Sequence, residues 1–336
     1  MVRIPIFLLV LLAGVAGVAA QSDSDALSKA MAQGDLFESK HKYDLALEAY
    51  HKADKLAHHE NANCYLKLAV VERKLGDFSS ALDDTKKAIK AAGNDKSTAV
   101  KAYTMRAILL VRQSGKPTDK KLREAEEDMR QAIALEPQVA LSHFNLGTIL
   151  MKQERDADGV VELNQALATT GLDPKTAAEA RKFITNPIRA REPFAPDFNF
   201  VTKENQRMNN ATLRGKVVLL DFWGTWCPPC VESVSSLRDL NKRYTKEKSF
   251  VMISVSVHDE EGKWRAFTTA NHMVWPQSFD RESKIARAFD VTRFPTYILI
   301  DPEGIVRLRV SGTSFEREDM LNEAIHKQIR MIAKPN

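Results

Sequence analysis

A short run with a cysteine at each end, Cys227-Pro228-Pro229-Cys230, holds the side chains best suited to chemistry in this chain. Two cysteines at this spacing undergo thiol–disulfide exchange or supply two thiolates to a metal ion. A structural zinc site needs four ligands, and the nearest histidines, His258 and His272, do not have the spacing of a ligand pair. The residue types therefore favour thiol–disulfide exchange, and no metal site is predicted.

The residues on either side of the two cysteines predict a strand followed by a helix. Residues 216–222 form a continuous apolar run of strand length, as expected for a central strand covered on both faces. Beyond the run, apolar residues recur every three or four positions: Val231, Val234, Leu237, Leu240 and Tyr244. We therefore expect a helix that begins at or within the Cys-x-x-Cys run.

This placement assigns different roles to the two sulfurs. Cys227 would lie at the helix N-terminus, where free N–H groups and the helix dipole favour a thiolate, so it is the predicted attacking sulfur. Cys230, one turn along, is placed to resolve a mixed disulfide and leave the Cys227–Cys230 pair oxidised. Pro228 fixes φ in the first helical turn, where a missing N–H costs no hydrogen bond.

Asp221 lies within the apolar strand, six residues before Cys227. A carboxyl group buried there would have a raised pKa and would take the proton of Cys230 as that residue attacks. The alternative is an aspartate that only caps a chain end. We favour proton transfer, because an aspartate inside an apolar strand needs a reason to be buried.

Further elements complete an α/β domain after the cysteines. Strands are predicted at residues 250–257, 296–300 and 306–310, and helices at residues 261–270, 281–289 and 317–332. A turn at residues 301–304 is expected to join the last two strands as a hairpin, with the last strand at the sheet edge.

The first half of the chain is helical and repetitive. Small residues recur at one position of a shared pattern, with separations of 35, 44 and 34 residues: Ala46, Ala81, Ala125 and Gly159. Tetratricopeptide repeats have a period of about 34 residues, and a loop at residues 114–117 explains the longer separation. Each unit is then two antiparallel helices whose small residues allow close approach, and a closing helix is expected at residues 176–184. A plain helical bundle is the alternative.

The N-terminus predicts export. Arg3 is followed by an apolar run over residues 4–18 and by small residues before Gln21, which is typical of a signal peptide cleaved after Ala20. An uncleaved anchor is less favoured, because the run is shorter than the roughly 20 residues of a spanning helix. The predicted organisation is a signal peptide at residues 1–20, helical repeats at 21–186, an extended Pro-rich linker at 187–194 and a second domain at 195–336.

Composition limits the function classes. With 336 residues, 44% hydrophobic and 28% charged, the chain is long enough for two folded domains and is not a disordered sequence. The 49 Lys and Arg residues and 44 Asp and Glu residues are interspersed, so nucleic acid is not expected as a partner. The remaining cysteine, Cys64, lies in a predicted repeat helix. We expect it to be a small buried hydrophobe; an intermolecular disulfide is the alternative.

The second domain resembles thioredoxin-fold oxidoreductases of the TlpA/ResA type, and residues 25–186 resemble tetratricopeptide repeats. The first resemblance rests on residues 221–230, 195–198, 213–220 and 294–301 and spans essentially residues 195–332. It implies that Pro295 is a cis-proline opposite the cysteines that keeps metals off the thiolates. It also implies that the backbone of Phe294 pairs with a substrate peptide, and that Trp226 and Pro228 lie in the substrate-binding region.

The expected function is an extracytoplasmic thiol-disulfide oxidoreductase that reduces protein disulfides. By resemblance, its electrons come from a membrane thiol carrier and not from a bound cofactor, while the repeats recruit a protein partner. Reductants, oxidants and isomerases share these residues, so the direction stays open. A repeat scaffold with a thioredoxin-like binding module is the alternative. A peroxidase is less favoured, since peroxidases of this fold place threonine three residues before the reactive cysteine and Thr225 is two before Cys227.

Overall fold

The computed structural model describes residues 24–312 and 315–333. The predicted signal peptide, residues 1–20, lies outside these ranges. Within them, no helix has both the length and the apolar character needed to cross a membrane. The chain divides into two units between Arg191 and Glu192.

The first unit is built from successive antiparallel helices. The helices, in chain order, are α1 (24–39), α2 (Tyr43–Leu56), α3 (Ala62–Leu75), α4 (Phe78–Ala92), α5 (Lys96–Gln113), α6 (Lys120–Leu135), α7 (Ala140–Lys152), α8 (Asp156–Ala168) and α9 (Pro174–Thr185). Side chains at several N-caps accept backbone N–H groups of the first turn, as Asn61 does for α3 and Asp77 for α4. The helical-repeat prediction is confirmed, and α9 is the closing helix.

The small residues of the repeat pattern lie where paired helices meet. Ala46, Ala81 and Ala125 are fully buried. In the last pair, a Cβ atom on Gly159 would come within 2.8 Å of the carbonyl oxygen of Gly147 on α7. Only glycine permits this backbone approach, which explains why glycine replaces alanine in the fourth repeat.

Residues 187–194 do not form the extended linker that the prolines suggested. Pro187–Ala190 is a short 3-10 helix that belongs to the first unit, where Ala190 is buried in a cluster with Met151, Leu163, Ala180 and Phe183. The guanidinium of Arg191 donates to both carboxylate oxygens of Asp156, at 2.5 and 2.9 Å. Proline is compatible with the first position of such a turn, so apolar packing and an ion pair override the extended tendency.

Cys64 is buried within the repeats. Its thiol lies 3.5 Å from the sulfur of Met31, and burial raises the pKa of the thiol to about 11. This environment matches the expected small buried hydrophobe and leaves the thiol protonated at neutral pH.

The second unit contains a five-stranded sheet. Its strands are β3 (Val217–Trp223), β4 (Phe250–Val257), β5 (Gln277–Asp280), β6 (Thr296–Ile300) and β7 (Val306–Ser311), in the spatial order β5-β4-β3-β6-β7. The first three are parallel. Strand β6 runs antiparallel to β3, and β7 runs antiparallel to β6 and therefore in the same direction as β3. A separate antiparallel pair consists of β1 (Asn199–Val201) and β2 (Arg207–Asn209).

Helices cover both faces of the sheet. They are α10 (Pro228–Glu232), α11 (Val234–Tyr244), α12 (Glu261–Ala270), α13 (Lys284–Ala288) and α14 (Phe315–Ala333). Val217, Leu219 and Trp223 of β3 pack with residues of α11, α12 and α14, whereas alternate residues of β3 pack on the other face with α13. Strand β3 is therefore buried along its whole length, as its apolar run predicted.

Two predicted elements differ in detail. The helix expected at residues 281–289 begins at Lys284, because Ser283 is in the left-handed region (φ 53°) and the Asp280 carboxylate accepts the N–H groups of Ile285 and Ala286. The helix after the cysteines is interrupted at Ser233, which separates α10 from α11. Strands β1, β2 and β5 were not predicted.

Glu72 of α3 provides a test of the repeat packing. The residue is 6% exposed, and burial, with additional repulsion from Asp84 and Asp77, raises its pKa from 4.5 to about 7. Between these pH values the folded chain binds a proton that the unfolded chain does not, so stability falls as the pH rises through this window.

We expect Glu72→Gln to be more stable than the wild type by about 1–2 kcal/mol at pH 8 and equally stable at pH 4. Urea unfolding at the two pH values measures the difference. The matched control is Glu48→Gln on the exposed face of α2, for which no pH-dependent difference is expected. An equal effect of Glu72→Gln at both pH values would contradict the burial of this carboxyl group.

Candidate functional site

The two cysteines lie immediately beyond the end of β3. Cys227 is the N-cap residue of α10, and Pro228 and Pro229 occupy the first two helical positions. Cys227 and Cys230 form a disulfide with a Cα–Cα distance of 5.3 Å, and they are only 4% and 2% exposed. The structure thus brings together the two sulfurs that the spacing singled out, with the helix N-terminus at the first of them.

Asp221 is buried on the same face of the sheet as the cysteines. It is 1% exposed, and alternation along β3 places it with Leu219 and Trp223, which belong to the same cluster of buried residues as the disulfide. Ser254 of β4 lies opposite it in the parallel register and donates from Oγ to Asp221 Oδ2 at 2.7 Å. The capping alternative for Asp221 is wrong, since the residue lies inside the strand.

The exposed side of the site is aromatic. Trp226 is 48% exposed, and its Nε1 donates to the carbonyl oxygen of Val257 at 2.9 Å. Its ring meets that of Phe294 edge to face, with centroids 5.3 Å apart. The Phe294–Pro295 peptide bond is cis, and the carbonyl oxygen of Pro295 accepts the N–H of Gly312. Phe294 packs against the cluster of buried residues that contains the disulfide, and its neighbours Trp226 and Pro295 lie in the same region.

Asp259 is a part of the site that the sequence analysis missed. Its carboxylate accepts the backbone N–H of Thr225 at 2.7 Å and the Thr225 hydroxyl at 2.6 Å. Ser256 Oγ donates to the same carboxylate at 2.8 Å. These bonds attach the segment before Cys227 to the end of β4. The signal was present in the sequence, because parallel neighbouring strands end at one edge and Asp259 follows a predicted strand.

Ser254 and Trp275 were missed as well. Trp275 Nε1 donates to Ser254 Oγ at 2.8 Å, which links the indole to Asp221 through the serine. Two serines at alternate positions, Ser254 and Ser256, interrupt the apolar residues of β4. A polar side chain at every second residue of a buried strand indicates hydrogen-bond partners on one face of the sheet. The register of β4 against β3, which decides those partners, cannot be read from one sequence.

The described residues hold no cluster of three or more histidine, cysteine, aspartate or glutamate side chains placed to bind a metal ion.

Comparison with known proteins agrees with this geometry. Residues 190–324 match the Redoxin family, and residues 120–175 match the Tetratricopeptide repeat family. The thiol-disulfide oxidoreductase ResA of Geobacillus thermodenitrificans is 32% identical over 171 residues, which cover 51% of this chain and 95% of that protein. The thioredoxin-like protein YneN of Bacillus subtilis is 30% identical over 125 residues, covering 37% of this chain and 73% of that protein.

Among solved structures, a thiol-disulfide oxidoreductase from Bacteroides fragilis is 27% identical, with a TM-score of 0.35; the match covers 39% of this chain and 98% of that one. The second unit is a thioredoxin-like domain with a Cys-x-x-Cys disulfide. The chain belongs to the ResA-like thiol-disulfide oxidoreductases of the Redoxin family and carries tetratricopeptide repeats ahead of that domain.

Gly224 tests the geometry of the segment before Cys227. A Cβ atom on Gly224 would lie 2.3 Å from Trp226 Nε1, so alanine there forces the indole away from Val257 and Phe294. We expect Gly224→Ala to lower the free energy of unfolding by about 1–2 kcal/mol and to shift the Trp226 indole N–H resonance. Urea unfolding and ¹⁵N–¹H spectra measure the two effects.

Gly262 of α12 is the matched control, because a Cβ atom there meets no heavy atom within 4 Å. Gly262→Ala should be neutral or stabilising by up to about 1 kcal/mol. If the two substitutions had the same effect, the close approach of Gly224 to the indole would be refuted.

Proposed function

We propose that this protein reduces protein disulfides outside the cytoplasm through the Cys227–Cys230 dithiol. One observation carries the proposal: the pair shares a buried face of the sheet with the carboxyl group of Asp221, and the same cluster packs against Phe294, which contacts the exposed ring of Trp226. The inner side suits proton transfer, and the outer side suits a peptide. A module that only binds partners has no need of a dithiol beside a buried acid.

The exchange begins at Cys227. Its thiolate, favoured at the helix N-terminus, attacks one sulfur of the substrate disulfide, forms a mixed disulfide and releases the first substrate sulfur as a thiolate. The thiolate of Cys230 then attacks the sulfur of Cys227. The Cys227–Cys230 disulfide forms, the second substrate sulfur leaves as a thiolate that takes up a proton, and two electrons have passed from the dithiol to the substrate.

Asp221 is proposed as the proton acceptor for Cys230. A buried thiol attacks slowly until it loses its proton, and Asp221 and Cys230, 1% and 2% exposed, have little access to bulk solvent as a proton acceptor. Burial disfavours the charged form of a carboxyl group, so proton transfer from the thiol to Asp221 becomes less uphill. Asp221 shares the buried face with Cys230, which supports this assignment.

The substrate is proposed to bind across the aromatic side of the site. The backbone before Pro295 is the candidate partner for an extended peptide, with Trp226 and Phe294 supplying apolar contact and Pro228 at the start of α10. The side chain of Pro295 has no ligand atom, so it offers nothing to a metal that approaches the sulfurs.

The remaining parts of the proposal concern location and partners. The signal-peptide pattern at residues 1–20 supports an extracytoplasmic location. A reductant in an oxidising compartment needs a continuous electron supply, which we assign to a membrane-bound thiol carrier that reduces the Cys227–Cys230 disulfide. The tetratricopeptide repeats are proposed to bind a protein partner, as extended repeat surfaces do.

The order of attack is tested by trapping. Cys230→Ser should accumulate a mixed disulfide with insulin, because the resolving sulfur is absent, whereas Cys227→Ser should form none; both variants should lose turnover. Non-reducing electrophoresis and mass spectrometry identify the adduct. Cys64 can remain in place, since it is fully buried. Trapping through Cys230 in place of Cys227 would reverse the assigned roles.

Asp221→Asn tests the proton acceptor. We expect resolution of the mixed disulfide to slow by about a hundredfold near pH 7, and the difference from the wild-type rate to shrink as the pH rises, because hydroxide then replaces the missing proton acceptor. Stopped-flow kinetics from pH 5 to 10 measure the profile. Asp239→Asn, on the exposed side of α11, is the control and should leave it unchanged. An unaltered profile in Asp221→Asn would disprove the proton-transfer role.

A further inference from the structure

Asp221 is held by a chain of two hydrogen bonds that begins at an indole. Trp275 Nε1 donates to Ser254 Oγ at 2.8 Å, and Ser254 Oγ donates to Asp221 Oδ2 at 2.7 Å. Trp275 lies before β5, Ser254 lies in β4 and Asp221 lies in β3, and none of the three is more than 3% exposed. Solvent therefore does not compete for these bonds.

The indole of Trp275 fixes which group donates and which accepts in each of the two hydrogen bonds. An indole N–H can only donate, so Ser254 Oγ must accept from it, and the single hydroxyl hydrogen remains for Asp221. Ser254 Oγ has no other hydrogen-bond partner among residues 24–312 and 315–333. If Oδ2 donated an acid proton to Ser254 Oγ, the serine hydrogen would have to turn away from Asp221 and would be buried without an acceptor.

We propose that Ser254 and Trp275 are positioning residues for the buried acid: the indole fixes the serine hydroxyl as a donor to Oδ2, so that Asp221 carries its exchangeable proton on Oδ1. The inference rests on the proposed role of Asp221 in proton transfer. It assigns the proton to one oxygen and gives two residues outside the reacting groups a part in the reaction.

The hydrogen bond also sets how readily Asp221 ionises. A donor aimed at a carboxylate favours the charged form, whereas burial disfavours it. Ser254 therefore lowers the pH at which Asp221 releases its proton, compared with a carboxyl group that is buried alone. Titratable groups of the cluster on this face include Cys227, Cys230 and Tyr297, which lies opposite Asp221 in the register of β3 and β6. Charged side chains of α11 and α14 line a cavity beside Tyr297: Asp239, Arg243 and Glu318. Helices α11, α12 and α14 contribute apolar side chains to the same cluster.

The ionisation of Asp221 is measured directly by ¹³C NMR of the full chain labelled at the aspartate Cγ atoms, in the oxidised form, where the disulfide sulfurs do not titrate. The signal that is lost in Asp221→Asn identifies the residue. We expect Ser254→Ala to raise the titration midpoint by about one pH unit, a tenfold change in the protonation equilibrium. Ser254→Thr, which keeps the hydroxyl, should retain the wild-type midpoint.

Trp275→Phe should raise the midpoint by less than Ser254→Ala, because the hydroxyl remains but is free to rotate. An unchanged midpoint in Ser254→Ala overturns the proposal, as does an equally large shift in Ser254→Thr. If Ser254→Ala does not fold, an unchanged midpoint in Trp275→Phe overturns it instead. The titration midpoint does not depend on turnover, so the two proposals are tested separately. If Ser254→Ala shifts the midpoint but Asp221→Asn leaves the pH–rate profile unchanged, the positioning role of Ser254 is retained and proton transfer by Asp221 is rejected.

Discussion

The burial of a carboxyl group in the central strand is the constraint on which the rest of the site depends. A carboxyl removed from water costs several kcal/mol unless the protein supplies hydrogen-bond partners. Ser254 supplies one from the neighbouring strand, and Trp275 holds that serine in turn. Because the partner lies on β4, the two strands must pair in the register that sets Asp221 beside Ser254. A slip of one residue would bring Ile253 or Val255 there, with its side chain on the opposite face.

The same register positions the sulfurs. Parallel strands β3 and β4 end at one edge of the sheet, so the loop that leaves β3 meets the loop that leaves β4. Asp259 from the second loop accepts two hydrogen bonds from Thr225 in the first, and Val257 accepts one from Trp226. Cys227 follows directly as the N-cap of α10. The buried acid and the reactive pair are thus two consequences of one strand pairing.

Local patterns in the sequence predicted the elements whose apolar residues recur with a strong period. The boundaries of β4, β6 and α12 match those expected at residues 250–257, 296–300 and 261–270, and the repeats follow from small residues spaced along the chain. Strand β5 was not predicted, because it has only four residues and three of them are polar: Gln277, Ser278 and Asp280. Its pairing with β4, a tertiary contact, overrides the weak strand propensity of those residues.

Site residues that come from one segment were also predictable, whereas those supplied by another strand were not. Cys227, Cys230 and Asp221 lie within ten residues of one another. Ser254 and Trp275 reach the site through strand register, which a single sequence does not specify. Asp259 is the exception, since it directly follows a predicted strand. The prediction of an extended linker at residues 187–194 was wrong for a similar reason, since Arg191 pairs with Asp156, which lies 35 residues earlier in the sequence.

The reduction potential of the Cys227–Cys230 pair tests the central claim, that a dithiol beside a buried acid acts as a reductant. The chain from Gln21 onward is equilibrated with glutathione or, for lower potentials, dithiothreitol buffers. Free thiols are counted by mass shift after alkylation of the acid-quenched, unfolded protein, in which Cys64 is the internal reference. A potential near or below that of thioredoxin, about −270 mV, is the result expected of a reductant that needs an electron donor. A potential near −120 mV, that of a strong oxidant, would contradict the assigned direction of electron flow.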